Sequence, residues 1–167
     1  MALFVKNPTS NTSPDPAQGG SIVTNPVNTG HDATIVSRVP AGTNTATCIW
    51  SGFAAVSGQS SSVVLKFDWS EDGILVGGGT NQFLVQYSVN GGSSFSAALT
   101  HNNINSVSSG SVSTTIPVGA GDLGQVQVRD KLTATSLGAG NTASVTGGIS
   151  NIRLEVTTVD ATLLVMF

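Results

Sequence analysis

The densest group of side chains that could do chemistry is acidic and lies in the segment Asp68–Gly73. Calcium in proteins takes about six to eight oxygen ligands from carboxylates, carbonyls and water. A loop at a strand end supplies several such oxygens, so Asp68, Glu71 and Asp72 are candidate ligands of a structural calcium ion, the one cofactor considered. The alternative, which the sequence favours, is a polar β-turn in which Asp72 and Gly73 reverse the chain.

A serine or threonine nucleophile needs a base and an orienting acid, and the two histidines are the candidate bases. His31 lies beside a proline-rich segment and His101 in a polar segment, so both are interpreted as surface residues. The glycines at 77–79 lack the lysine and the following helix of a phosphate-binding loop. We therefore expect no enzymatic activity and assign no catalytic residue.

Aromatic residues bear on sugar binding, because exposed rings stack on the apolar faces of sugars. Trp69 and Tyr87 are in phase with apolar residues of their strands, which indicates core positions. The segment Thr47–Phe53 carries apolar residues in both phases. Trp50 and Phe53 are therefore the best candidates for an exposed glycan contact.

The composition excludes several classes of function. Only 9% of the residues are charged, with 6 Lys and Arg against 9 Asp and Glu, whereas an average domain has about 25%. The basic residues are too scattered to neutralise a run of phosphates, so no nucleic-acid partner is expected. No apolar stretch reaches the roughly 18 residues of a membrane span. The start of the chain lacks a signal peptide, which predicts synthesis in a cytoplasm. The single Cys48 cannot form an internal disulfide, and its role stays open.

The elements that must position these residues are strands. From residue 33 onward apolar residues alternate with polar ones, and Gly, Ser or Asn clusters interrupt the alternation about every ten residues. This pattern predicts an all-β fold, a two-sheet antiparallel β-sandwich of jelly-roll type. Asp130 falls on the apolar side of its strand and suggests a bulge or strand end. The predicted strands are 33–39, 46–53, 63–69, 83–89, 95–99, 111–117, 126–132, 143–149, 152–156 and 161–167.

One hairpin can be predicted to its register. A three-residue loop after Val89 would pair Tyr87 with Phe95 and Val85 with Ala97, and so place every large apolar group on one side. Glycines in the loop allow the left-handed conformation that this register requires.

Both ends of the chain are expected to lie outside an ordinary core. Residues 1–30 hold four of the six prolines and predict an extended arm, separate from a sandwich domain at 31–167. The arm is either a disordered leader or a strap along a neighbouring subunit, with Pro14 and Pro16 as candidate assembly residues. The apolar C-terminus is expected to form a strand or to pack against a partner. Its candidate assembly residues are Leu163, Leu164, Val165, Met166 and Phe167.

Two resemblances follow from these residues. The segment Ser88–Phe95 resembles the Asp-box hairpin of sialidase-type propellers, S-x-D-x-G-x-T-W, with Asn, Ser and Phe at its Asp, Thr and Trp positions. It implies a structural turn and no catalytic residue. The arm at 1–30, the neutral strands of 33–159 and the apolar end at 162–167 together resemble bacteriophage virion proteins: head-decoration, tail or fibre-associated jelly rolls.

The virion resemblance implies a non-enzymatic structural subunit that is repeated on a viral particle and assembles through its arm and C-terminal strand. Its partners would be copies of itself and other virion proteins such as the major capsid or tail protein. Its location would be the virion, after synthesis in the host cytoplasm. Two alternatives stay open: a carbohydrate-binding β-sandwich module that binds surface glycans through Trp50 and Phe53 or the loops around Asn81 and 102–105, and a self-assembling extracellular filament or surface-layer subunit.

Overall fold

The alternating strands form two antiparallel sheets whose apolar faces pack against each other. A computed structural model of the chain describes residues 1–15, 22–24, 29–35 and 41–159, and the side chains of 1–12 and 41–159. A short 3-10 helix at Ala120–Gln125 precedes the tenth strand. The strands are β1 (Ala2–Lys6), β2 (Ser10–Asp15), β3 (Ile22–Thr24), β4 (Thr29–Ile35), β5 (Gly42–Ser51), β6 (Gln59–Val76), β7 (Gly79–Ser88), β8 (Ser96–Asn102), β9 (Ser108–Thr115), β10 (Gln127–Ser136) and β11 (Thr142–Val159).

The strand order defines two layers. Sheet A has the order β3-β4-β11-β6-β9, and β1 pairs with β11 as well. Sheet B has the order β2-β5-β10-β7-β8. All of these pairings are antiparallel. The chain is therefore an all-β, two-sheet antiparallel β-sandwich of jelly-roll type, and this part of the prediction is confirmed.

Alternation along each strand decides what enters the core. On β6 the side chains of Val63, Leu65 and Phe67 are buried, and the residues between them are partly exposed. On β10 the buried positions include Val128 and Leu132. Full burial of each such side chain contributes about 1.5–3 kcal/mol. The core is thus built from one phase of each central strand, and the opposite phase is free for other roles.

The predicted irregularity at Asp130 is wrong. Asp130 is fully buried within β10 and stays in register with Cys48 on one side and Val85 on the other. The irregularity lies instead in β11, which is one strand where two were predicted. Its pairing with β6 shifts between Ser150 and Arg153. Asn151 is in the left-handed region there, with φ 53°.

The predicted register of the β7–β8 hairpin is also wrong. Val85 pairs with Leu99 and Tyr87 with Ser96, because the register shifts between Val85 and Gln86. This shift leaves Ala98 as an extra residue in β8. A bulge in β8, and not the length of the loop, therefore brings Leu99 opposite Val85. Phe95 does not lie opposite Tyr87 and is not on the apolar side of the hairpin.

The first fifteen residues are part of the sandwich. β1 pairs with the end of β11, with Phe4 opposite Val156, and β2 pairs with β5. Residues 1–15 therefore do not form a separate arm, because the backbone groups of β1 and β2 pair with strands of both sheets. Pro14 lies in β2. Pro16 and residues 163–167 lie outside the described residues, and the domain division at residue 30 stays a prediction.

Candidate functional site

The two rings predicted to contact a ligand lie in the core. Trp50 is 0% exposed and Phe53 is 2% exposed. Trp50 shares its phase on β5 with the buried Ala46 and Cys48, so its side chain points between the sheets. The prediction that these rings are exposed is wrong, because the second apolar phase of β5 consists of little more than Ile49.

The three carboxylates of the predicted calcium site do not converge. β6 runs straight through them to Val76, so neither the loop nor the turn at Asp72 exists. Alternation sends Glu71 to the buried side and Asp68 and Asp72 to the outer side. Among the described residues no group of three or more His, Cys, Asp or Glu side chains is placed to hold a metal ion.

Glu71 pairs with a histidine at the edge of the sandwich. Its Oε1 lies 2.7 Å from Nδ1 of His101, and its side chain is 5% exposed. The His101 ring meets Trp69 edge to face, with 4.7 Å between ring centroids. His101 belongs to β8, so the polar segment in which it was placed begins as a strand. Trp69 and Tyr87 pack against the core, as predicted.

The outer side of sheet B carries mainly polar side chains, which we call the polar face. It is formed by the outward phases of β10, β7 and β8, which register and burial identify. Leu84 is its apolar centre. The polar face consists of Thr80, Gln82, Leu84, Gln86, Thr100, Asn102, Arg129, Lys131, Thr133 and Thr135.

A groove of about 480 Å³ lies at one end of the polar face. Gln82 lines the groove, and its Nε2 donates to Oδ1 of Asn102 over 2.7 Å. Amide side chains both donate and accept hydrogen bonds. The groove therefore presents donors and acceptors close together. Its lining consists of Thr80, Asn81, Gln82, Asn102, Asn103 and Thr133.

Buried Asn81 holds one wall of this groove. Its Nδ2 donates to the carbonyls of Ile104 (2.9 Å) and Ser144 (2.7 Å), and its Oδ1 accepts from the Ile104 N–H (2.6 Å). The backbone N–H of Asn103 donates to the Asn81 carbonyl. Gly73 packs beneath this loop, and a Cβ there would lie 2.5 Å from the Ile104 carbonyl oxygen. These contacts fix Asn103 in its left-handed conformation, with φ 54°.

The turn between β7 and β8 positions the other end of the polar face. Asn90 Oδ1 accepts from the Ser88 hydroxyl (2.8 Å) and from the Ser94 N–H (3.0 Å). Gly91 and Gly92 adopt positive φ within the turn. The chain leaves this turn with the Phe95 ring 3.8 Å from the Arg129 guanidinium. Phe95 thus packs against Arg129 at the edge of the polar face and not in the core.

Arg129 is held by neutral groups. Its Nη2 and Nε donate to Oε1 of Gln86 over 2.6 and 3.2 Å. Partial burial lowers the pKa of Arg129, because burial disfavours the charged form. Neither Arg129 nor Lys131 forms an ion pair with a side chain that the structure describes; the ion pairs there involve Lys66, His101 and Arg153.

Sequence reasoning identified part of this site. The loops around Asn81 and 102–105 were named as alternative glycan contacts, and the structure brings them together at the groove. Gln82, Gln86 and Thr133 were missed. A strand-by-strand count of the outward phases could have found them, because β7 and β10 alternate amides, threonines and cations with core residues.

No protein-family model and no curated protein matches the sequence. Solved structures similar to the chain include TmCBM61 in complex with β-1,4-galactotriose, at 9% identity and TM-score 0.42, covering 89% of each chain. CBM28, a carbohydrate-binding module specific for non-crystalline cellulose, has 8% identity and TM-score 0.41, with 81% of this chain and 79% of that chain covered. The N-terminal cellulose-binding domain of Cellulomonas fimi β-1,4-glucanase C has 12% identity and TM-score 0.36, with 90% and 91% covered.

The resemblance to bacteriophage virion proteins is wrong. The similar solved structures given above are carbohydrate-binding modules and not head-decoration, tail or fibre proteins. The function that this resemblance implied, a repeated structural subunit of a viral particle, is therefore wrong as well. The described part of the chain also holds no helix that is long and apolar enough to cross a membrane.

Proposed function

We propose that the chain is a carbohydrate-binding module and that its polar face binds the sugar chain. The observation that carries this proposal is the open groove on sheet B, lined by Gln82, Asn102 and Thr133. Sugars present adjacent hydroxyls, each of which donates and accepts, and amide and hydroxyl side chains match this chemistry.

The shape of the polar face fits an extended ligand. Its outward residues follow β10 from Arg129 to Thr135, a length of about 20 Å. Leu84 lies beside Lys131 in the same row and offers an apolar contact for the C–H face of a sugar ring. A rigid sheet presents these groups without an ordering step, which reduces the entropic cost of binding.

The test is affinity electrophoresis in gels that contain a soluble polysaccharide: a β-glucan, a galactomannan, a pectic galactan or polygalacturonate. Wild-type protein is expected to be retarded in at least one gel. Gln82→Ala and Asn102→Ala are each expected to weaken that retardation about five- to ten-fold, because each removes one or two hydrogen bonds to the sugar.

The matched control is Gln59→Ala, which removes an exposed glutamine from β6 of sheet A. This variant should bind as the wild type does. Absence of retardation in every gel, or equal losses in Gln59→Ala and Gln82→Ala, would overturn the proposal.

A further inference from the structure

We propose that the sugar chain bound by the polar face is a polyuronate, whose carboxylates are bound by Arg129 and Lys131. This inference rests on the proposed carbohydrate binding and adds the chemical class of the ligand. It is carried by the position of the two cations, by the way Arg129 is held, and by the lack of an ion pair between either cation and a side chain that the structure describes.

The two cations lie in line with the groove. Arg129, Lys131 and Thr133 are successive outward residues of β10, and Thr133 lines the groove. Neighbouring outward residues of a strand are about 7 Å apart. A sugar chain that leaves the groove along β10 therefore passes Lys131 first and Arg129 second, and a charged group on successive sugars can meet both.

Arg129 is fixed in place before a ligand binds. The Phe95 ring covers its guanidinium, and Gln86 accepts two of its N–H groups. A guanidinium has five N–H donors, so three remain for a ligand. Carboxylates are bound by such donors in pairs, with shorter and stronger hydrogen bonds than neutral acceptors form. A held guanidinium loses little side-chain entropy when it binds.

No charged side chain lies directly across the strands from this pair, and Asp130, which separates the two cations on β10, points to the buried side of the sheet. Arg129 is in register with Gln86 and Ile49, and Lys131 with Leu84 and Thr47. None of these four neighbours is charged. Asp15 lies in the same row as Lys131, but two strands away, at about 10 Å. Two like charges on one strand repel each other, and an anionic ligand removes this repulsion.

The experiment compares two polymers with one backbone, polygalacturonate and its highly methyl-esterified form, by isothermal titration calorimetry. The wild type is expected to bind polygalacturonate at least ten-fold more tightly, and this preference should shrink at 0.5 M NaCl because salt screens exposed charges, with a Debye length of about 10 Å already at 0.1 M. Arg129→Gln and Lys131→Gln should each weaken binding to polygalacturonate about ten-fold and weaken binding to the ester clearly less, so that each variant loses most of the wild-type preference.

The controls are Arg153→Gln and Lys66→Gln, which remove the corresponding cations from sheet A. Both should keep the wild-type preference. Circular dichroism melting checks that each variant is folded, and Arg129→Lys, which keeps the charge, serves if Arg129→Gln is not. Equal affinity for the two polymers overturns the polyuronate assignment and leaves carbohydrate binding standing. Binding to neither polymer, nor to any neutral polysaccharide, overturns both.

Discussion

The outer faces of the two sheets have the same alternating pattern but use their charges differently. On sheet A, Glu155 pairs with Lys66 at 2.8 Å and with Arg153 at 3.2 Å. On sheet B, Arg129 is held by an amide and an aromatic ring. On the first face both of these cations are paired with a carboxylate, whereas on the second Arg129 and Lys131 have no ion pair with a described side chain. An uncompensated charge beside a polar groove is therefore a better indicator of a binding surface than the number of charges.

The largest effect is expected from a variant of sheet B that removes the side chain holding the wall of the groove. Asn81→Ala deletes three hydrogen bonds, two of them buried, and leaves the Ile104 and Ser144 backbone groups without these partners. We expect a loss of about 3 kcal/mol in the free energy of unfolding, measured in urea, together with loss of polysaccharide binding.

Asn105→Ala is the matched control for this variant. Asn105 is exposed and accepts one hydrogen bond, from the Leu75 N–H at 3.2 Å. Its loss should cost less than about 1 kcal/mol and leave binding intact. If the two asparagine variants were equally stable, the assignment of the groove wall to Asn81 would be incorrect.

A smaller effect that distinguishes the two faces is the dependence of folding stability on pH. Hydrogen bonds from Asn151 and Ser111 lower the pKa of Asp68, and a hydrogen bond from Lys66 is the largest cause that lowers the pKa of Glu155. Both carboxylates lie on sheet A. Because their folded-state pKa values are lowered, their stabilisation is present above the ordinary values of 3.8 and 4.5. It is lost as the pH falls through the lower folded-state values.

Thermal melts between pH 2 and pH 7 measure this dependence. The double variant Asp68→Asn, Glu155→Gln should flatten the acid side of the curve, whereas Arg129→Gln should leave its shape unchanged. An unchanged curve in the double variant would show that the acid sensitivity arises elsewhere.

The sandwich was predictable because the alternation of apolar and polar residues that produces it is a local property of each strand. Alternation on β6 and β10 can be counted directly, and one phase of each must be buried. The β7–β8 register was not predictable from apolar matching, because the bulge at Ala98 changes the phase of β8 after the turn. The single strand β11 was divided in two for the same reason, since Asn151 inserts a left-handed residue between Ile149 and Ile152.

The site was predictable only in part, because it depends on contacts between distant strands. Trp50 was expected on the surface, and its burial depends on which phase of β5 faces sheet A. The acidic segment was predicted to be a polar β-turn or a calcium-binding loop, but β6 continues through it and places Glu71 and Asp72 on opposite sides. The groove needs Gln82, Asn102 and Thr133 from three strands, and only the sheet order brings them together.

The most direct test of the account is to map backbone amide NMR shifts of the wild-type protein during titration with an oligogalacturonate. The account predicts that the perturbed amides cluster on β7, β8 and β10, with the largest changes near Gln82, Arg129 and Lys131. Perturbations centred on the outer face of sheet A, or no localised perturbation with this oligosaccharide or a neutral galactan oligosaccharide, would contradict it.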